Sequence, residues 1–294
     1  MKSQSAMEYL MTYGWAILII AVVLGVLFQL GVFSGSALTP KAQPGSCLVL
    51  RIAGQVSLEG ECQGQLPEYV AHFNGVNAEV SISANELETG EVTNGGSNKV
   101  TITAWAASNV IATGVQADIV HYGYNSECTS IDNNMEFVMA QTGIGAHTII
   151  DCSNMQEFPD SAGVWRFYAM ETDGSNEISY AGYGGTINGG TVEAITHVTL
   201  PAASPLSIGA SGPFANYFNG SIANVQIYNT SLSSNELAAL YQEGIGGAPI
   251  NIQNLVGWWP LNGNAQDYSG NNNNGQISGG VSFNSSWQSG YTPP

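Results

Sequence analysis

The chain has 294 residues, of which 22 are acidic and only 5 basic, giving a formal charge of -17 with just 9% of residues charged. That balance excludes a nucleic-acid partner, because a phosphate-binding surface needs clustered Lys and Arg, and Lys2, Lys41, Arg51, Lys99 and Arg166 are scattered. A hydrophobic content of 44% excludes a wholly disordered chain, and 36 glycines among many Asn, Ser and Thr favour β-structure with polar loops over a helical bundle.

The first predicted element is apolar. Gly14 to Phe33 reads GWAILIIAVVLGVLFQLGVF, with Gln29 its one strongly polar side chain. At about 1.5 Å per residue, such a helix can cross a hydrocarbon core roughly 30 Å thick while satisfying its own backbone. A cleaved secretory signal, a plain anchor and a filament-forming helix all fit this run. An ordinary secretory signal has a basic leading region and a shorter apolar stretch, whereas here the helical-looking segment before the run carries Glu8.

The segment Lys2-Ser3-Gln4-Ser5-Ala6-Met7-Glu8-Tyr9-Leu10, abutting that run, resembles the class III signal peptide of archaeal type IV pilin-like proteins. The resemblance implies a prepilin peptidase cut between Ser3 and Gln4, with Ser standing where the family usually has Gly. Gln4 then begins the mature subunit, and Glu8 falls on its fifth position. The freed amine of one subunit meets the Glu8 carboxylate of a neighbour, since a charge in an apolar environment is costly without a partner. Heterologous packing of such helices does not close and builds a filament. The implied partners are copies of the same chain, the prepilin peptidase and a membrane assembly machinery. The implied location is the cytoplasmic membrane before assembly and an extracellular filament at the cell surface afterwards.

Residues 34–46 are rich in Ser, Gly and Pro without periodicity and read as a linker. The expected organisation is a leader at 1–3, an apolar helix at 4–33, the linker, and a β-sandwich head at 47–294. Short alternating or β-branched runs recur at 48–52, 68–73, 78–82, 99–105, 116–122, 135–140, 164–170, 192–200 and 221–228. Many strands without long intervening helices predict a sandwich or jelly roll. One short helix is predicted from Ser233, where Ser-Ser-Asn-Glu suggests a capping box. Gly244 ends it.

Tyr217-Phe218-Asn219-Gly220-Ser221-Ile222-Ala223-Asn224-Val225-Gln226-Ile227-Tyr228-Asn229, followed by Leu232-Ser233 and the short helix, is similar to the end of laminin-G-like, concanavalin A-type jelly rolls. Phe73-Asn74-Gly75, Val80-Ser81-Ile82 and Thr101-Ile102-Thr103-Ala104-Trp105 resemble earlier strands of that fold. Leu255-Val256-Gly257-Trp258-Trp259-Pro260-Leu261-Asn262-Gly263-Asn264, with Asp267-Tyr268-Ser269-Gly270-Asn271, resembles its opening motif. An opening motif placed after the closing one implies a circularly permuted domain. Domain termini often lie close together, which makes such a rearrangement physically reasonable. The last segment then completes either its own sheet or that of a neighbouring subunit, and the short connection favours its own.

Cys47 and Cys62 bracket one short loop and Cys128 and Cys152 another. Local pairing is the simplest of three connectivities, and spacing alone does not choose among them. Asp267, Ser269 and Asn264 form an oxygen-rich loop of the kind that can hold a structural Ca²⁺, or a polar turn bonded to its own backbone. Asn219, Asn229 and Asn284 match the N-glycosylation pattern. Trp258 and Trp259 are either sugar-stacking or core. Glu171-Thr172-Asp173 is the nearest match to a paired-carboxylate glycosidase motif, but it lacks the final Glu. His72, His121, His147 and His197 have no nucleophile motif near them. No catalytic constellation results. The sequence therefore predicts a non-enzymatic filament subunit whose head is displayed for adhesion or glycan contact, the alternative being an anchored lectin-like surface protein that does not polymerise.

Overall fold

The computed structural model describes residues 6–29, 40–83, 99–110, 117–122, 137–142, 145–149, 156–194, 205–211 and 216–294. The chain divides into two units, Met1–Pro40 and Lys41–Pro294. In the first, helix α1 spans Ala6–Gln29. Its side chains are described from Tyr13 to Leu27 and are exposed along nearly that whole stretch, Trp15, Ile17, Leu18, Ile19 and Ile20 among them. Among the described residues no helix is long and apolar enough to cross a membrane. Ser3 and Gln4 lie outside the described residues, and Glu8 lies on α1.

The second unit is β-rich. Its strands before residue 100 are β1 (Lys41–Ala42), β2 (Cys47–Ile52), β3 (Gln55–Gly60), β4 (Leu66–Pro67), β5 (Val70–Asn74) and β6 (Glu79–Ile82). The middle of the chain supplies β7 (Lys99–Ser108), β8 (Ala117–Tyr122), β9 (Phe137–Thr142), β10 (Gly145–Ile149), β11 (Gln156–Phe158), β12 (Arg166–Asp173), β13 (Asn176–Tyr183), β14 (Thr186–Gly189) and β15 (Glu193–Ala194). The rest supplies β16 (Leu206–Ile208), β17 (Asn219–Tyr228), helix α2 (Ser234–Glu243), β18 (Leu255–Trp259), β19 (Gln276–Ser278) and β20 (Ser282–Asn284).

Among the described residues a nine-stranded sheet runs β14-β13-β12-β7-β17-β5-β20, with β15 on β13 and β18 on β17. A seven-stranded sheet runs β11-β10-β9-β8-β16-β6-β19. Strand alternation sends Val100, Ile102, Ala104, Met170 and Ile227 to one face of the larger sheet. There they pack with Val80, Ile82, Val120, Leu206 and Ile208 of the smaller one. The opposite face carries Trp105, Phe167, Ala169, Tyr180 and Tyr228 and is covered by α2, Trp258 and Trp287. Leu237, Leu240 and Tyr241 share the buried stripe of α2. Ser233 and Glu236 form the capping box, and Gly244 caps the C-terminus with a positive φ of 78°.

The segment after α2 completes its own sheets. β18 pairs with β17, β19 with β6, and β20 with β5. β5 and β18 lie end to end on one edge of β17, pairing with its first and second halves. Between those halves the register shifts at a bulge, where Asn224 adopts a φ of 51°. The buried Asn224 amide donates to Gly247 O at 2.8 Å, and its Oδ1 accepts from Gln226 Nε2 at 2.9 Å and Trp258 Nε1 at 2.8 Å. Tyr228 Oη donates to Gln226 Oε1 at 2.6 Å, which completes the network. Arg51, on the β2–β3 hairpin, donates to the backbone oxygens of Ile252, Leu255 and Ser269. The strand predicted over 192–200 is observed at Glu193–Ala194, and residues 195–200 lie outside the described residues.

Candidate functional site

Trp105 on β7 lies opposite Phe167 on β12, which lies opposite Gly182 on β13. These three therefore share the outer face of the nine-stranded sheet. Gly182 lacks a side chain where Tyr241 of α2 comes down, and an added Cβ would stand 2.5 Å from Tyr241 Cδ2. Because that space is open, the Tyr241 ring stacks on Trp105, with centroids 5.7 Å apart and planes 20° from parallel. Arg166, the first residue of β12, and Tyr183, the last of β13, stand at the same end of the sheet. The guanidinium carbon lies 4.9 Å from the Tyr183 ring centroid.

Trp105, Trp165, Gly182 and Tyr241 floor a cavity of about 210 Å³ that Arg166 and Tyr183 also border, while alternation turns the side chains of those last two to the inner face, where Tyr183 packs against the inter-sheet core. The rim of the cavity is the exposed Gly184–Gly185 turn and the C-terminal Gly290, Thr292 and Pro293. The C-terminal stretch is held in place by tryptophan hydrogen bonds. Trp165 N donates to Gly290 O and Trp165 Nε1 to Trp287 O, both at 3.1 Å, while Trp287 Nε1 donates to Pro67 O at 3.1 Å. Gly290 lies so close to the turn before β12 that a Cβ would sit 1.7 Å from Gly163 O. Tyr291 Oη accepts from Ile245 N at 3.2 Å. Burial pushes the Tyr241 and Tyr291 hydroxyls above the usual phenol value of 10, so both stay neutral. The indole N–H of Trp105 is buried with no hydrogen-bond partner among the described residues. An aromatic cavity with few, placed polar groups suits a small organic ligand such as a sugar ring.

The residues singled out from the sequence lie elsewhere. Trp258 and Trp259 are 3% and 0% exposed and their indole N–H groups are engaged by Asn224 Oδ1 and Asn273 O, so both belong to the core. Cys47 and Cys62 are joined in a disulfide, and Cys128 and Cys152 lie outside the described residues. In the expected Ca²⁺ loop, Asp267 Oδ1 accepts from Trp258 N and Ser269 N, and Oδ2 from Ser269 Oγ and Asn273 N. Asn264 Oδ1 accepts from Gln266 N at 3.0 Å, away from that carboxylate. The oxygens that would have to converge on a cation are already engaged by protein donors, so the residues do not fit the ion and instead form a hydrogen-bonded turn. Asn271 and Asn273 extend it by donating to Val256 O. Among the described residues no three His, Cys, Asp or Glu side chains gather to hold a metal.

Of the glycosylation candidates, Asn284 is exposed while Asn219 and Asn229 are half-buried. Glu171 accepts a hydrogen bond from Ser231, and Asp173 is occupied by the turn it caps, accepting from Ser175 N and Asn176 N. His72 Nδ1 lies 3.5 Å from Ser221 Oγ, and His121 Nδ1 pairs with Asp118 at 3.2 Å. The side chain of His147 and all of His197 lie outside the described residues. Of the cavity residues, Trp105 and Tyr241 are legible in sequence only as parts of a strand and a helix. The one available signal was Arg166, a rare cation set within Val-Trp-Arg-Phe-Tyr.

No curated protein matches the chain in sequence. In fold it resembles the native heptameric SAP-like pentraxin of Limulus polyphemus at 13% identity and a TM-score of 0.50, over 73% of this chain and 94% of that one. It also resembles a Bacteroides ovatus protein assigned to carbohydrate binding at 11% identity and a TM-score of 0.52, over 79% of this chain and 64% of that one. The sequence profile of the concanavalin A-like lectin/glucanases superfamily, of laminin-G type, matches residues 71–238. That match spans more than half of the chain and takes in both sheets and the start of α2, so the chain belongs to the concanavalin A-like lectin/glucanases superfamily.

Proposed function

We propose that the β-sandwich unit is a non-catalytic glycan-binding module displayed at the cell surface. The observation that carries this reading is the cavity floored by Trp105, Trp165 and Tyr241 beside Tyr183 and Arg166. Membership of a lectin and glucanase superfamily, and the likeness to a Bacteroides ovatus protein assigned to carbohydrate binding, support it. A glycosidase reading has less support: Glu171 and Asp173 line a cavity of about 220 Å³, but each is hydrogen-bonded to neighbours of its own and the paired-carboxylate motif lacks its final Glu. Tyr183 is the residue to change, since it borders the cavity and is only half-buried. On a glycan array and by titration calorimetry, Tyr183→Ala should weaken sugar binding about tenfold, the loss of one stacking contact, beside a modest fall in melting temperature from its lost packing against the inter-sheet core. Wild-type protein that binds no sugar on the array would sink the reading.

A second reading concerns the first unit. The described side chains of α1 are apolar and exposed, Trp15, Ile17, Leu18 and Val22 among them, and such a surface packs against lipid or against copies of itself. With the leader pattern at Ser3 and Gln4 and the placement of Glu8, this favours a helix that anchors the module and then packs into a pilus-like filament carrying it outward. N-terminal sequencing of protein sheared from cells tests this: a chain beginning at Gln4 is expected, and one beginning near Ser34 or still at Met1 would overturn it.

A further inference from the structure

Asn219-Gly220-Ser221, Asn229-Thr230-Ser231 and Asn284-Ser285-Ser286 carry the acceptor pattern for N-linked glycans, and the fold treats the three unequally. Asn219 opens β17 with its amide wedged between neighbours. Its Oδ1 accepts from Asn109 Nδ2 at 3.0 Å, and a Cβ added at Gly75 would stand 3.3 Å from its Nδ2. Asn229 is half-buried, and its Oδ1 is out of reach of solvent. A sugar on either amide would have to displace packed protein.

Asn284 differs on each count. It and the two serines after it are exposed. It ends β20 opposite Val70 of β5, so alternation puts it on the outer face while the preceding Phe283 packs inward. Its Oδ1 accepts from Ser286 N at 2.8 Å, an Asx turn that holds the third residue of the pattern beside the acceptor amide. Nδ2 is left pointing to no protein acceptor among the described residues. Trp287, buried and donating Nε1 to Pro67 O, pins the chain immediately after the turn.

The location carries a second argument. Among the described residues β20 pairs only with β5 and ends the nine-stranded sheet, so its far side is open. Open edges invite pairing with another chain, and proteins block them with charge or bulk. Lys41 already stands there, donating Nζ to Ser285 O at 3.3 Å.

We propose that Asn284 is the N-glycosylation site of the folded protein and that its glycan shields this sheet edge. The co-reactant is an oligosaccharide joined through its anomeric carbon to a lipid phosphate, used by a membrane transferase. Asn284 Nδ2 attacks that carbon. The C–N bond forms as the C–O bond to phosphate breaks, the lipid phosphate leaves with the electron pair, and the amide proton passes to a base of the transferase. Ser286 supplies the hydroxyl that the pattern requires, and Ser285 is a spectator.

The test takes protein sheared from the surface of the native cells, digests it with chymotrypsin and reads the peptides by mass spectrometry. A glycan on the Asn284 peptide is expected, with the Asn219 and Asn229 peptides bare. Ser286→Ala keeps the backbone N–H that closes the turn and removes only the hydroxyl, so it should abolish the modification, whereas Ser285→Ala should leave occupancy unchanged. Bare Asn284 on surface protein, a glycan on Asn219 or Asn229, or modification that survives Ser286→Ala overturns the proposal and leaves sugar binding at the aromatic cavity standing. Protein that never reaches the surface overturns the display reading, and this proposal with it.

Discussion

The two faces of the nine-stranded sheet each bury a hydrophobic cluster and do different work. The inner face meets another sheet, and two pleated surfaces rich in Val, Ile and Ala, with Tyr122, Tyr168 and Trp259 among them, fill the space between them. The outer face is covered piecemeal by a helix, a hairpin and the C-terminal segment, using large aromatic residues. Piecemeal cover leaves gaps and brings backbone into the interior. The outer face therefore carries both the buried network around Asn224 and the aromatic cavity, while the inner face carries neither. A ligand site arises here where a sheet is roofed by unlike elements.

If the inner face is the mechanical base of the unit, its deletions should be the costliest. Ile102 is fully buried between the sheets, and Ile102→Ala should lose about 3–4 kcal/mol through transfer and cavity terms. Urea unfolding of the β-unit reads this directly. A loss below that of the polar variant discussed next would reverse the ranking of the two faces.

On the outer face the comparable test is polar. Asn224→Ala leaves the Trp258 indole N–H and the Gln226 amide without their acceptor, and Gly247 O without its donor. The expected loss is about 2–3 kcal/mol, from stranding buried groups rather than from lost contact area. The left-handed φ of 51° at this bulge position adds to the cost, since Asn tolerates that conformation better than Ala.

Gly182→Ala separates stability from binding on that same face. The new methyl must displace the Tyr241 ring, 2.5 Å away, and with it the stack on Trp105. About 1–2 kcal/mol of stability should be lost by overpacking. Sugar binding should fall further than Tyr183→Ala makes it fall, because the cavity floor itself moves. Calorimetry beside thermal melting distinguishes the two effects, and unchanged affinity would remove the cavity from consideration.

The inner face was the more legible in sequence. Alternating or β-branched runs mark β2, β5, β6, β7, β8, β12 and β17, because a half-buried strand writes its burial into a period of two. β13, reading Asn-Glu-Ile-Ser-Tyr-Ala-Gly-Tyr, was not foreseen, since its polar and Gly positions dilute the signal. The displaced Trp-Trp motif was recognisable, yet whether its rings stacked on ligands or packed inside depended on the layers against the two faces of the sheet that β18 joins beside β17. The cavity was not legible at all. It draws on residues near 105, 165, 183, 241 and 291, which no local pattern connects, and it exists only because Gly182 happens to face Tyr241.

The smallest expected effect lies at the far end of the same strands. Burial raises the Glu171 carboxyl above its ordinary 4.5, only partly offset by the hydrogen bond from Ser231 and reinforced by Asp173. A carboxyl raised on folding prefers the protonated native state. Its contribution is fully present below the unfolded value and is lost as pH rises through the folded one. Stability of the β-unit should therefore decline modestly from about pH 4.5 upward through that window, and Glu171→Gln should flatten the decline. Asp173 and Glu236 are shifted the other way, held down by backbone hydrogen bonds from Asn176 and Ser233 respectively. Their contribution is present above their ordinary values and disappears on acidification, so the acid limb of the profile should survive in the Glu171→Gln variant. Melting temperatures of the two proteins from pH 3 to 7 would check both limbs, and a variant curve parallel to wild type above pH 4.5 would show that Ser231 alone holds Glu171 at its ordinary value.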